Sequence, residues 1–292
     1  MKWAKTVFWM TVMTVLLVLF GRLVGGLFFG SPGLFMTIFF ILALVMNVSA
    51  YWFSDRLALR SAAAQEVSAA EAPMLHRLAD RLALQYRVPK PRVYISPDPS
   101  PNAFATGRNP RHAAICVNQG LLRILDEEEL YGVLAHEFAH VRNRDILISS
   151  AIAVMAGAIT LAANAAQWGM WMGGFGGRSD DRQNAGGAIA GLLLIFLAPL
   201  AALLVQLAVS RTREYEADHT GAEVSHDPQA LASALRKLTA ATQVVPAQTG
   251  SPAFAHLYIV NPLSGRQLAG LFSTHPPLEE RIRRLEAMVG RV

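Results

Sequence analysis

Long uncharged apolar blocks alternate along this chain with stretches in which apolar residues recur at helical spacing. The first block covers residues 6–29, sits behind Lys2 and Lys5, and is interrupted only by Arg22. The second, 33–53, carries no charge. At about 1.5 Å of rise per residue it reaches the roughly 30 Å of a hydrocarbon core. Gly30, Ser31 and Pro32 separate the two blocks, which therefore predict a transmembrane hairpin. A positive start before an apolar run also describes a signal peptide, but no convincing cleavage site follows and a second span comes at once. Two further uncharged blocks, 146–171 and 186–210, flank a Gly-rich loop holding Arg178, Asp180, Asp181 and Arg182. Both are long enough to span, although their Ala and Gly content leaves a buried helical hairpin as the alternative.

Between these blocks the chain turns polar. Met74, Leu75, Leu78 and Leu82 form a helical stripe, and 92–95 and 113–117 read as short strands. A proline-rich loop from Pro97 to Pro101 leads into Asn102-Ala103-Phe104-Ala105-Thr106-Gly107, either a connector or an edge that binds extended peptide. A helix is predicted over 126–145: Asp126 at the N-cap and Glu129 at N3 make a capping box. Leu130, Val133, Leu134, Phe138 and Val141 supply its packed stripe, and Gly132 leaves space one turn before His136. After the last apolar block, a helix begins near Arg211. Asp227-Pro228 caps another helix running to about 242, residues 245–265 are loop-like, and Leu278, Ile282, Leu285 and Met288 face the core from a terminal helix. The resulting division is a hairpin (1–54), a first catalytic part (55–145), a second membrane or membrane-embedded hairpin (146–210) and a second catalytic part (211–292).

Composition sharpens this picture. Hydrophobic residues make up 53% of the chain and charged residues 16%, too apolar for an ordinary soluble enzyme. The net charge of +5 comes without a basic stripe interleaved with aromatics, so nucleic acid is not an expected partner. The basic residues instead flank the spans. With four spans, Lys2, Lys5, Arg56, Arg60, Arg142, Arg144, Arg211 and Arg213 fall on one side, against Arg178, Arg182 and Arg22 at the other. The positive-inside rule places the first group, both termini and the helix at 126–145 in the cytoplasm. A single cysteine, Cys116, excludes an intrachain disulfide and reads as a small core residue.

The chemistry centres on His136-Glu137-Phe138-Ala139-His140. Histidines at i and i+4 share one helical face and can reach one ion, with Glu137 positioned as general base. A hydrolytic zinc site takes a third protein ligand and leaves a position for water. Glu214 and Asp218, again i and i+4, follow the last block directly. Glu214 is the expected ligand, Asp218 the carboxylate that accepts the outer N–H of a ligating histidine, and Glu216 points to nearly the opposite face. His275, in Thr274-His275-Pro276-Pro277, precedes the terminal helix that carries Arg281. By pattern alone such a histidine is more often a cap than a catalyst. His76, His112, His219, His226 and His256 lack a partner at useful spacing.

Together, the N-terminal hairpin, Asn102–Gly107, His136–His140, the two later apolar blocks, Ser210–Asp218 and Thr274-His275-Pro276-Pro277 resemble the HtpX family of bacterial and archaeal membrane metalloproteases, related to the CAAX prenyl endopeptidases. The resemblance runs over essentially the whole chain. It implies a mainly α, gluzincin-like membrane metalloprotease with four transmembrane helices and a small β-sheet beside the zinc helix. It implies a multi-pass protein of the plasma (cell inner) membrane, one Zn2+ per chain, and proteolysis of misfolded or damaged membrane proteins or unfolded polypeptides under stress. His136, His140 and Glu214 match the family's ligands, Glu137 its base and Asp218 its outer carboxylate. His275 and Arg281 match residues that contact the substrate carbonyl, and Asn102, Ala103 and Phe104 match the substrate-binding strand. The competing expectations are a zinc-stabilised scaffold or holdase without turnover, and a processing protease for prenylated proteins.

Overall fold

The computed structural model describes residues 2–28, 30–152, 211–245, 257–260 and 276–292. The chain falls into two units, Met1–Trp52 with Met155–Leu204 and Phe53–Val154 with Val205–Val292. The first division lies two residues before the expected end of the hairpin at 54, and the second lies inside the third apolar block.

In the first unit, α1 (Lys2–Phe28) and α2 (Pro32–Ser61) meet through a turn at Gly30, whose φ of 61° suits a residue without Cβ. Proline at the start of α2 costs no hydrogen bond there. Gly21 and Gly25, one turn apart, cut a groove for two phenylalanines. A Cβ on Gly21 would lie 2.7 Å from the Cβ of Phe39, and one on Gly25 would lie 2.6 Å from that of Phe35. The Asn47 amide donates to the Thr14 hydroxyl at 2.9 Å, joining the helices. Among the described residues, one helix, Pro32–Ser61, is long and apolar enough to cross a membrane; the apolar part of α1, Met10–Gly26, is shorter. Of the later apolar blocks, residues 153–210 lie outside the described residues. The start of the third, 146–152, is helical and belongs to the second unit. Ile146, Leu147, Ala151 and Ile152 are buried there, and Ser150 shares a 2.8 Å hydrogen bond with Thr106. This part of the block packs on protein.

The second unit is built on a four-stranded mixed sheet in the order β1-β2-β4-β3. Here β1 is Gln65–Glu66, β2 is Arg92–Ser96, β3 is Ala103–Gly107 and β4 is Ala113–Asn118. β2 and β4 run parallel, and β3 pairs antiparallel with β4 in the register Phe104↔Cys116. The segment Ala-Phe-Ala-Thr-Gly has little intrinsic strand preference, so its extended form comes from this pairing. Gly107, at φ 138°, turns the chain where a Cβ would lie 2.3 Å from the carbonyl oxygen of His112.

Besides the helical start of the third apolar block, the described residues of the unit include the helices α3 (Pro73–Tyr86), α4 (Gln119–Ile124), α5 (Glu127–Asn143), α6 (Arg211–Ser225), α7 (Pro228–Val244) and α8 (Leu278–Glu286). The capping box of α5 is present in both directions, Glu129 N–H to Asp126 at 2.9 Å and Asp126 N–H to Glu129 at 3.1 Å. Its far end is closed by Arg144 in the left-handed region, with φ 59°. α7 begins as expected, with the Asp227 side chain accepting from Ala230 N–H at 2.9 Å. Leu82, Phe138, Leu231, Leu235 and Leu285 form the centre of the core. Gly132 serves a different purpose from the one its spacing suggested. A Cβ there would lie 3.0 Å from the backbone N of Leu231, so its bare backbone admits α7 against α5 rather than leaving room beside the histidines.

Candidate metal centre

α5 is packed so closely that His136 and Glu137 are almost fully buried, at 1% and 2% exposure. The close approach of α6 is what brings a carboxylate to them. Gly221 makes that approach possible, since a Cβ on it would lie 3.0 Å from the backbone N of His136. Two turns earlier on the same helix, Glu214 faces both imidazoles. Its oxygens lie 3.7 Å from His136 Nε2 and 3.5 Å from His140 Nε2, while the two Nε2 atoms are 3.3 Å apart. Ligands about 2.0–2.1 Å from a tetrahedral zinc lie about 3.3–3.4 Å from one another. The three side chains have the spacing such an ion requires, and their ligand atoms all lie within 4.8 Å of one another.

The tautomers agree with this. His136 Nδ1 lies 2.9 Å from Asp218 Oδ1, and His140 Nδ1 lies 3.5 Å from Asp145 Oδ2. Each carboxylate favours a proton on Nδ1, leaving the Nε2 lone pairs turned towards each other. Two lone pairs at such a distance repel unless a cation or a proton lies between them. The charge balance points the same way. Asp145, Glu214 and Asp218, joined by Glu137 when it is ionised, stand against Arg281 and, at 4.0 Å from Asp145, Arg213. The excess is negative, and a cation between the three ligands would neutralise it. Burial pulls His140 towards neutrality, but Asp145, Glu214 and Glu137 outweigh it and raise its pKa to about 9. The cluster thus calls for a positive charge at this point, and a metal ion can take the proton's place.

Glu137 stands beside these ligands without belonging to them. Burial raises its carboxyl to about 7, opposed by the nearby His140 charge and by the Ala105 backbone N–H that donates to it. A carboxylate held near neutrality, on the same turn as two ligands, is suited to exchange protons. Burial alone would raise Asp218, but the Arg281 guanidinium holds it down to about 2, so it remains an anion. Glu216 is exposed, as its phase on the helix requires.

The remaining expected residues take less familiar positions. Arg281 is fully buried, with Nε and Nη2 on the two oxygens of Asp218 at 2.8 and 2.7 Å and Nη1 on the Ile259 carbonyl at 3.0 Å. Asn102 and Ala103 are also fully buried and engage the chain's own segment 257–260. Ile259 N–H donates to Ala103 C=O at 3.1 Å, and the Asn102 side chain bonds Val260 in both directions at 2.7 and 3.3 Å. Phe104 meets the Tyr258 ring edge-on at 5.1 Å. The expectation for His275 falls outside the described residues, as does His256. His76 binds the Val67 carbonyl, His112 its own turn residue Asn109, and His219 pairs with Glu223, all away from the cluster.

Three participants were not anticipated. Asp145 follows the left-handed cap at Arg144 and turns back onto His140. Gly221 lies one turn beyond Asp218. Ile259 sits in a segment with no periodic signal. A carboxylate five residues after the second histidine was the one local clue.

The peptidase family M48 model matches residues 69–289. A protease HtpX homolog of Syntrophobacter fumaroxidans is 53% identical over 285 residues, covering 97% of this chain and 98% of that protein. The homologs of Persephonella marina and Pyrococcus furiosus are each 50% identical, covering 99% and 97% of this chain and 98% and 94% of theirs. Among solved structures, S. mikatae Ste24p is similar over 98% of this chain and 65% of its own, with 18% identity and a TM-score of 0.49.

Proposed function

This chain belongs to peptidase family M48, and from that premise we propose that it is a zinc-dependent endopeptidase of the plasma membrane that degrades misfolded or damaged membrane proteins. The observation that carries the reading is the convergence of His136, His140 and Glu214 around one point, with Glu137 buried beside them. These three side chains would hold the ion. When bound, zinc supplies a Lewis acid that makes water nucleophilic near neutral pH and polarises a carbonyl. Glu137 accepts the proton of the attacking water and returns it to the leaving amine; its raised pKa suits both transfers. Asp218 and Asp145 keep the imidazoles in the tautomer that turns Nε2 towards the ion. Strand β3 runs past Glu137 at Ala105, which sets the sheet beside the point where a scissile carbonyl would come to lie. His275, just before α8, is the remaining candidate donor to a developing oxyanion.

For the membrane, the reading is four spans with a cytoplasmic site. It is supported by the apolar exterior of the N-terminal hairpin, where Leu19, Leu34, Ile41 and Val45 are exposed, and by the asymmetric placement of lysine and arginine. Exposed large side chains on both faces of two long helices fit lipid as the surrounding solvent.

The test is metal analysis together with casein or membrane-protein cleavage by the detergent-solubilised chain, wild type beside Glu137→Gln. The variant is expected to keep one zinc per chain and to lose cleavage by roughly 10²–10⁴-fold, the usual worth of a general base. A Glu137→Gln enzyme that still cleaves would remove that residue from the mechanism. A wild type that binds zinc but cleaves nothing would favour a scaffold.

A further inference from the structure

Arg281 occupies the centre of a closed circuit of hydrogen bonds. Its guanidinium is bidentate to Asp218, with Nε to Oδ2 at 2.8 Å and Nη2 to Oδ1 at 2.7 Å. The same Oδ1 lies 2.9 Å from His136 Nδ1. The third corner of the fork, Nη1, donates to Ile259 C=O at 3.0 Å and passes 3.9 Å from Glu214 Oε2. Ile259 N–H in turn donates to Ala103 C=O on β3, and Val260 is held on both sides by the Asn102 amide. Two residues along β3, Ala105 N–H reaches Glu137, the neighbour of His136 on α5. Four parts of the chain far apart in sequence are thus joined around one buried cation.

A guanidinium that met substrate would present an N–H to open space. This one is 0% exposed, and all three nitrogens are directed at groups of the chain itself. The planar fork fits the task, since a carboxylate and a carbonyl in two directions cannot both be held by the point charge of a lysine.

We infer that Arg281 is a positioning residue, which orients the ligand His136 through Asp218 and, through Ile259, seats segment 257–260 against β3. The inference rests on the zinc reading above and gives that site a residue acting through its ligands rather than on substrate. Loss of the guanidinium leaves a buried carboxylate without its partner and frees the His136 ring to turn. Removing such an outer partner typically weakens metal binding about 10–100-fold.

The experiment uses the full chain in detergent, with zinc affinity measured by chelator competition for wild type, Arg281→Met, Arg281→Lys, Asp218→Asn and the Arg281→Met/Asp218→Asn double variant. Peptide cleavage is measured alongside at limiting and at saturating zinc. Arg281→Met is expected to bind zinc about 10–100-fold more weakly, with Arg281→Lys between it and wild type. The double variant should bind no more weakly than Asp218→Asn alone, because both changes act through the same imidazole. It also removes the uncompensated charge, so the comparison survives if Arg281→Met alone fails to fold. Cleavage by Arg281→Met should recover at saturating zinc. Wild-type zinc affinity in Arg281→Met with a cleavage defect that zinc does not rescue would overturn the inference, as would additive losses in the double variant. A wild type without zinc would end the metal reading and this inference with it, and the wild-type measurement alone identifies that case.

Discussion

The hairpin of α1 and α2 and the unit built around α5 solve opposite problems with the same kinds of residue. In the hairpin, large apolar side chains such as Leu34, Phe40 and Trp52 point outward, while the helices come close at Gly21 and Gly25, with Phe20 edge-on to Phe39 and the Asn47 amide on the Thr14 hydroxyl. In the α5 unit, Phe138, Leu231 and Leu235 are inside, and among the charged residues buried with them Glu137, Glu214, Asp218 and Arg281 form one cluster. In lipid, helices have no hydrophobic reason to associate, and close backbone approach and polar pairs are what can join them. Water drives the other unit to bury apolar area, and that low-dielectric interior then makes every charge costly unless partnered. The contrast teaches where function can reside: a carboxyl can be moved to a neutral pKa where the surroundings are dry but rich in fixed charges.

The largest effect should come from emptying the charged cluster. Glu214→Ala is expected to weaken zinc binding by more than about 100-fold, beyond the range of outer-partner changes. Glu216→Ala, one residue pair away but exposed, should leave it unchanged. Metal content after dialysis distinguishes them, and equal zinc in both variants would dissolve the distinction between cluster and surface. Next, Gly221→Val places a branched side chain where even a Cβ is 3.0 Å from the His136 backbone. Overpacking of about 1–3 kcal/mol should appear in chemical denaturation of the α5 unit, with weaker zinc binding as α6 is pushed away.

A smaller effect carries a pH signature. Burial tends to raise Glu129, but Lys237, Ser233 and the Asp126 backbone N–H outweigh it and hold the carboxyl below its ordinary value. A depressed folded pKa means that its contribution is complete above the unfolded value, about 4.3, and is lost as pH falls through the folded one. Glu129→Gln should therefore cost about 1 kcal/mol at neutral pH, with the gap to wild type closing on acidification; a gap that widened would reverse the assignment. Smallest is the hairpin's polar pair. Asn47→Ala should weaken helix association in detergent by only about 0.6 kcal/mol, the average for such bonds within membranes. A loss of several kcal/mol would show that the hairpin relies on polar contacts as the other unit does.

Legibility in the sequence followed distance along the chain. The capping box of α5, the His136 and His140 pair, and the i, i+4 relation of Glu214 and Asp218 are local, set by helical periodicity, and the structure places each on the face its phase required. Strand β3 was open between connector and edge, because Ala, Thr and Gly carry no extended signal until β4 pairs with them. Asp145 escaped notice because it acts by turning back after a left-handed cap, outside any regular repeat. Asn102 and Ala103, matched by resemblance to a substrate strand, are engaged by residues 259 and 260. No pattern in either segment announces that pairing across more than a hundred and fifty positions.

The sequence by itself determined which residues could bind a metal, that the block at 33–53 is apolar and long enough to cross a membrane, and where helices such as α5 and α7 begin, since these depend on residue type and on neighbours within a turn or two. Tertiary structure decided that α6 approaches α5 at Gly221, that Arg281 is spent on Asp218 and Ile259, and that Glu137 is dry enough to hold its proton near neutrality. Those outcomes depend on which surfaces exclude water from one another. Only the folded chain, with all its distant segments in contact, sets that exclusion.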